Sequence, residues 1–203
     1  MIEDERGTQM ILYATRQTIE RYKLQMVDEL SPEMSALAHA VIERDTGSML
    51  REWGIKLFYF DGKKCLQAVN FASKFTLFLF DIKIGALVNI GPLMVEYMLE
   101  LYQDDSEMTK CLHRMFEQER CIAFAPLKNR SMISTLNLTQ SDYAFDGQRF
   151  WEYVENGVLH TREINRDVNF NYFFTYKAIG MKDYYYPADL FREQVIKAYG
   201  GSC

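Results

Sequence analysis

Residues 128–131 bring together side chains that suit an anion. Lys128, Asn129, Arg130 and Ser131 follow the apolar run 121–124 and precede a segment with helical spacing of apolar residues. Backbone N–H groups at a helix start are unpaired and partly positive, and a guanidinium adds a forked donor. The pattern therefore predicts a site for a phosphate, a carboxylate or an acidic partner. The simpler interpretation is that Ser131 only caps the helix and both cations are solvated.

Two further asparagines occupy positions where a polar side chain is unexpected. Asn137 falls within an apolar helical segment, and Asn70 falls at the end of a predicted strand. Asn is a poor helix former, and its amide often bonds nearby backbone, so a structural role is one interpretation of each. If they converge with Asn129, they form a polar pocket instead. The candidate ligand-binding residues are Asn70, Lys128, Asn129, Arg130, Ser131 and Asn137.

A run of tyrosines near the C-terminus is the candidate interaction surface. It comprises Tyr184, Tyr185 and Tyr186, in a chain with 13 Tyr, 14 Phe and 11 Met. Aromatic residues and Met are enriched at binding surfaces. The alternative is that these tyrosines cover the edge of the core.

Signatures of catalysis are missing from the sequence. It contains no G-x-S-x-G, no P-loop and no H-E-x-x-H motif. Cys111 lies on an apolar helical stripe and Cys121 begins a predicted strand, so core packing explains them better than metal ligation does. We therefore expect no metal and no cofactor, and we lean against an enzyme. Without a C-x-x-C pair or a secretion signal, reduced thiols are expected at Cys65, Cys111, Cys121 and Cys203.

The elements that position these residues follow from the hydrophobic pattern. Residues 55–60 and 64–69 are strand-like runs separated by Asp61-Gly62, a strong hairpin signal. The segment 75–80 is apolar on both faces, which predicts a central third strand of a meander. Further strands are expected near 10–14 and 121–125, the first followed by a helix capped by Thr15.

Helices are predicted to flank this sheet. Their apolar residues recur at helical spacing in segments beginning near residues 15, 31, 91, 106 and 131, and a last helix ends at Gly200-Gly201. Residues 168–176 fit a strand or a helix, with helix slightly favoured. The prediction is one α+β domain over 10–203, with a mostly antiparallel sheet, after a flexible lead-in at 1–9.

Composition narrows the function classes. The chain has 203 residues, 48% hydrophobic and 25% charged, with a net charge of −5. No apolar run approaches the length of a membrane span, and the acidic N-terminus is not a signal peptide, so a cytoplasmic protein is expected. The negative charge disfavours nucleic acid as a partner, although Lys63, Lys64, Lys128 and Arg130 are the basic residues to test.

Three motifs resemble an uncharacterised bacterial domain family, the domain of unknown function DUF6933, over roughly residues 10–175. They are MILYATRQTIERY at 10–22, WGIKLFYFDGKKCLQAVN at 53–70 and NRSMISTLN at 129–137. Two positions depart from the family pattern, because Lys56 stands where Asn is expected and Leu138 where an acid is expected. The resemblance implies a bacterial or phage protein, sometimes associated with mobile elements, and implies no activity.

Three functions remain, in order of preference. The first is a non-catalytic interaction module that binds a host or partner protein. The second is a small-ligand binder or enzyme acting on a phosphorylated or nucleotide-like compound, held by Arg130, Ser131, Asn70 and Asn137. The third is nucleic-acid binding. The oligomeric state has no signal in the sequence.

Overall fold

The fold is built on a five-stranded mixed sheet. A computed structural model describes residues 10–26, 32, 35–36, 49–117, 122–172, 174–175 and 184–201. The strands are β1 (Met10–Ala14), β2 (Glu52–Phe60), β3 (Lys63–Asn70), β4 (Thr76–Leu79) and β5 (Ile122–Pro126), in the order β4-β3-β2-β1-β5. The α+β class and the β2–β3–β4 meander are confirmed. The sheet is mixed because β1 pairs in parallel with both β2 and β5.

Helices cover both faces of the sheet. They are α1 (Arg16–Tyr22), α2 (Ile90–Leu101), α3 (Ser106–Glu117), α4 (Arg130–Leu138), α5 (Thr161–Phe170) and α6 (Pro187–Tyr199). The larger core lies on one face, where Trp53 packs edge-on against Phe75 and Phe191. On the opposite face, a smaller aromatic cluster surrounds Phe58 and Phe78. Alternation along the strands therefore fixes which residues each face receives.

The hairpin at Asp61-Gly62 has the predicted geometry. Both turn residues have positive φ, 48° and 70°, as a two-residue turn of this kind requires. This turn sets the register of β2 against β3, in which Lys56 lies opposite Gln67 and Phe58 opposite Cys65.

The prediction that segment 75–80 forms a central strand is wrong. Strand β4 lies at the edge of the sheet, although all four of its residues are buried. Helix α5 covers this edge, because the amides of Asn165 and Asn169 each bond both the N–H and the C=O of a β4 residue. Because α5 bonds the free edge of β4, this strand needs no further strand beside it. Its residues can therefore be buried and apolar on both faces.

The first helix has the predicted cap and is short. Thr15 caps it, accepting from the Thr18 N–H, but it ends at Tyr22 because Lys23 is left-handed with φ 52°. Of the predicted helix beginning near residue 31, the structure describes only Pro32, Ser35 and Ala36. The lead-in at 1–9 lies outside the described residues.

Irregular elements follow helix α4. Helix α4 continues into a π-helical turn (Thr139–Tyr143), and a 3-10 segment (Phe145–Tyr153) follows. Asn156-Gly157 then closes a short hairpin of β6 (Val154–Glu155) and β7 (Val158–Leu159). The segment 168–176, for which a strand or a helix was predicted, contains part of each. Helix α5 ends at Phe170, and β8 (Phe174–Thr175) pairs with β9 (Tyr184–Tyr185).

Candidate functional site

The predicted anion site at 128–131 is an exposed helix start. Asn129 caps α4, because its Oδ1 accepts from the Met132 N–H at 2.9 Å. The expectation that Ser131 is the cap is wrong, because the helix begins at Arg130 and Ser131 lies in its first turn. Asn137 lies eight residues beyond Asn129, about 12 Å along the helix axis. The residues at the helix start therefore do not share a site with Asn137.

Asn70 has a local structural role. Its side chain is fully buried, and its Oδ1 accepts from the N–H groups of Ala72 and Ser73. Its Nδ2 donates to the Leu50 carbonyl at 2.8 Å. By alternation along β3, its side chain lies on the opposite face from Val69, which packs against α4. The pocket that Asn70, Asn129 and Asn137 were expected to form is therefore absent from the described residues.

The tyrosine run is only partly a surface. Tyr184 and Tyr186 are 69% and 41% exposed, but Tyr185 is buried opposite Phe174. Tyr186 also precedes the first turn of α6 as its N-terminal cap residue. The run alternates as a strand does, so it presents two exposed rings rather than three.

A groove that the sequence did not indicate lies beside the turn of the β2–β3 hairpin. Its cavity has a volume of about 340 Å³, within the range of ligand pockets. Trp151 is 55% exposed at this cavity, and its ring lies 4.7 Å from that of Phe60. We call this cavity the aromatic groove; its principal lining residues are Phe60, Cys65, Phe80, Trp151, Val154 and Leu159.

Cys65 lines the aromatic groove, but its thiol is not activated as a nucleophile. Burial raises the pKa of the Cys65 thiol, so this group stays protonated near neutral pH. Its Sγ donates weakly to the Lys63 carbonyl. The groove is therefore suited to packing against an apolar group rather than to nucleophilic attack.

A polar network fixes the segment that carries Trp151. Asp167 of α5 accepts from the Tyr153 hydroxyl at 2.6 Å and from Arg149 at 3.3 Å. The Arg149 guanidinium also lies 4.5 Å above the Tyr143 ring. Burial alone would raise the pKa of Asp167, but hydrogen bonds from Tyr153 and Asn171 hold it below its ordinary value. The carboxylate thus stays ionised and ties the 3-10 segment to α5.

A second group of polar side chains lies between the sheet and α4. Lys56 Nζ donates to Asn137 Oδ1 at 2.9 Å, and Gln67 lies opposite Lys56 in the sheet register. Gln140 follows Asn137 by three residues in the continuing π-helical turn. Burial lowers the pKa of Lys56, and the charge of Asp146 partly opposes this shift. We call Lys56, Gln67 and Asn137 the Lys56 cluster.

Only Asn137 of this cluster was among the predicted site residues. Lys56 and Gln67 had a sequence signal, because they are equidistant from Asp61-Gly62 and a two-residue turn pairs such positions. Trp151 had no sequence signal, because the pattern does not show which of the adjacent rings of Phe150 and Trp151 is exposed.

The cluster also joins two of the three sequence motifs. Lys56 follows Trp53 in the second motif, and Asn137 ends the third. A sequence profile of the domain of unknown function DUF6933 matches residues 11–190. The chain belongs to this family. No curated protein sequence and no solved structure matched the chain. Among the described helices, none is long and apolar enough to cross a membrane.

Proposed function

We propose that this DUF6933 protein is a non-catalytic interaction protein of bacterial or phage origin that binds a partner polypeptide through the aromatic groove. The observation that carries the proposal is the half-exposed Trp151 at a cavity of about 340 Å³. A large aromatic ring left in water costs free energy that a partner recovers by covering it. Trp is also among the residues enriched at the energetic centres of protein interfaces.

The groove is preorganised for a partner. Trp151 rests on Phe60, whose ring also contacts Phe80 and Phe150 edge-on. The neighbouring segment is tied to α5 through Asp167. A rigid anchor loses little conformational entropy on binding, which favours affinity.

The carboxylates around the groove indicate which charge a partner should carry. Asp61 and Asp81 line it, and Glu152 and Glu155 are exposed beside its lining residues Trp151 and Val154. The lining cation, Lys63, lies 3.9 Å from Asp81. We infer that the partner presents an apolar side chain flanked by Lys or Arg. The same carboxylates disfavour nucleic acid at this surface.

A reducing compartment agrees with the described cysteines. Cys65 and Cys111 are both buried free thiols. Free thiols of this kind are typical of cytoplasmic proteins, which supports a bacterial cytoplasmic setting for the proposed interaction.

Affinity capture from a bacterial lysate tests this proposal with two matched variants. Trp151→Ser removes the exposed ring at the groove, and Tyr184→Ser removes a similarly exposed ring outside it. The proposal expects a stoichiometric protein that is retained by the wild type and by Tyr184→Ser but lost from Trp151→Ser. Loss only from Tyr184→Ser, or the absence of any stoichiometric protein, overturns the proposal. Circular dichroism confirms that each variant is folded.

A further inference from the structure

Three aromatic side chains form adjoining walls of the aromatic groove. Phe60, Phe80 and Trp151 all line its cavity of about 340 Å³. The Phe60 ring centroid lies 4.7 Å from that of Trp151 and 5.8 Å from that of Phe80, and the ring planes are inclined by 50° and 77°. The three rings therefore adjoin at angles rather than forming one stack.

Two carboxylates lie at the rim of these walls. Asp61, in the turn of the β2–β3 hairpin, and Asp81, two residues after β4, are both exposed and both line the cavity. Lys63 is the one cation among the described lining residues, and its Nζ lies 3.9 Å from Asp81. Two carboxylates and one ammonium leave the described lining with a net negative charge.

The ring faces of the groove carry no cation from the described part of the chain. The Arg149 guanidinium, for comparison, lies 4.5 Å from the centroid of the Tyr143 ring. No described Lys or Arg lies in this way over Phe60, Phe80 or Trp151. Because the face of an aromatic ring is electron-rich, open rings beside carboxylates attract a cation.

The apolar character of the walls decides which kind of cation fits. A primary ammonium has three N–H donors, and among carbon atoms it would lose their hydrogen bonds to water. A trimethylammonium group has no N–H, and its methyl groups bring the positive charge into contact with the rings. Val154 and Leu159 add apolar surface against which those methyl groups can pack.

We propose that the aromatic groove binds a small compound that carries a trimethylammonium group. Phe60, Phe80 and Trp151 contact the methyl groups, and Asp61 and Asp81 attract the charge from the rim. A cavity of about 340 Å³ is large enough to enclose a whole compound of this kind. The inference rests on the same groove as the proposed function, but it requires no polypeptide partner.

Titration calorimetry with choline at low salt tests the proposal, alongside two matched compounds. Dimethylbutanol, in which a tert-butyl group replaces the trimethylammonium group, has the shape of choline without the charge. Ethanolamine keeps the charge but has N–H groups in place of the methyl groups. Choline is expected to bind, and each matched compound is expected to bind at least about fivefold more weakly. A short peptide with one trimethyl-lysine is expected to bind no more tightly than choline.

Three variants separate the ring from the rim charge. Trp151→Leu keeps an apolar side chain but removes the ring, so choline binding is expected to weaken by about fivefold to tenfold. Asp61→Asn combined with Asp81→Asn removes the rim charge, and a weakening of about threefold is expected because exposed charges are screened. Both positions have positive φ, 48° and 52°, which Asn also accepts. Asp146→Asn, at an exposed Asp with φ 53° outside the groove, is the control and leaves binding unchanged.

The wild-type protein provides a second measurement that does not depend on the folding of a variant. The indole N–H resonance of Trp151 is expected to shift when choline is added, whereas that of the buried Trp53 is expected to stay in place. The proposal is overturned if choline does not bind, if either matched compound binds as tightly as choline, or if Trp151→Leu or the double Asn variant binds choline as tightly as the wild type. Tighter binding of the trimethyl-lysine peptide also overturns it, because the group would then belong to a polypeptide.

These results distinguish this inference from the proposed function. If choline does not bind but a basic peptide binds through Trp151, only this inference fails. If choline binds and no polypeptide does, only the proposed function fails.

Discussion

Asn169 bonds Thr76 in the way that a neighbouring strand would. Its Oδ1 accepts from the Thr76 N–H at 2.8 Å, and its Nδ2 donates to the Thr76 carbonyl at 2.6 Å. Asn165, one turn earlier, makes the same pair of bonds to Phe78. Two side chains of α5 thus satisfy the free edge of β4 and bury it, which protects the sheet from pairing with other chains.

Replacing Asn169 by Leu is expected to destabilise the protein strongly. The substitution leaves the N–H and C=O of Thr76 buried without partners, at a cost of about 2–4 kcal/mol. Urea unfolding measures this change in the free energy of unfolding. Asn171→Ala is the control, since this exposed residue is expected to change stability by less than about 1 kcal/mol. Equal effects of the two variants would show that β4 does not depend on the amide.

Gln67→Leu is expected to stabilise the protein. The variant removes a buried amide without hydrogen bonds and keeps a similar volume, so the free energy of unfolding should rise by about 1–2 kcal/mol. Thermal unfolding provides the measurement. Gln103→Leu, at an exposed position, is the control and should have little effect. A clear loss of stability in Gln67→Leu would contradict the unsatisfied state of this amide.

Gly54 is required by the close approach of α4 to the sheet. A Cβ at this position would lie 2.6 Å from Met132 Cγ and 3.3 Å from Leu136 Cδ1. Gly54→Ala is therefore expected to cost about 1–3 kcal/mol through overpacking. Gly85→Ala meets no atom within 4 Å and should be nearly neutral. The double variant Gly54→Ala with Met132→Ala should be less destabilised than the sum of the single changes, and strict additivity would contradict the contact.

The pairing of Arg192 with Asp105 makes part of the stability dependent on pH. The Arg192 Nε bonds Asp105 Oδ2 at 2.5 Å and holds the pKa of this carboxyl below its ordinary value. The contribution is therefore fully present above the unfolded pKa, about 3.9, and is lost as the pH falls through the lower folded value. Arg192→Met should reduce stability by less than about 1 kcal/mol at pH 6, because the pair is partly exposed.

Urea unfolding at pH 6 and again near pH 2 checks this sign. The difference between the wild type and Arg192→Met should shrink at the lower pH as the carboxyl is protonated. A difference that stays constant or grows in acid would show that the pair does not cause it.

The sequence predicts those parts of the fold that local rules control. Asp61-Gly62 determines a hairpin and its register, and Thr15 caps the helix that follows β1. The edge position of β4 was not predictable in this way, because its apolar pattern reflects capping by Asn165 and Asn169 from about 90 residues later in the chain. Residues in contact across that separation leave no local signal.

The candidate site shows the same limit. The charged and capping residues at 128–131 have a clear pattern, yet they form an exposed helix start. The aromatic groove depends on how the segment carrying Trp151 packs against Phe60, which is a tertiary contact. Asn137 was identified from its poor fit to an apolar helix, and its partner Lys56 became evident only when α4 was placed on β2.

Selection of a random peptide library displayed on phage, followed by titration of the enriched peptides, tests the proposed binding through the aromatic groove most directly. The account predicts peptides with an apolar residue flanked by Lys or Arg. Trp151→Ser should weaken their binding by about 30-fold, as loss of an interface anchor does, whereas Tyr184→Ser should leave it unchanged. Asp61→Lys should also weaken binding through the rim charge. Enriched peptides that are acidic, or that bind Trp151→Ser as tightly as the wild type, would contradict the account.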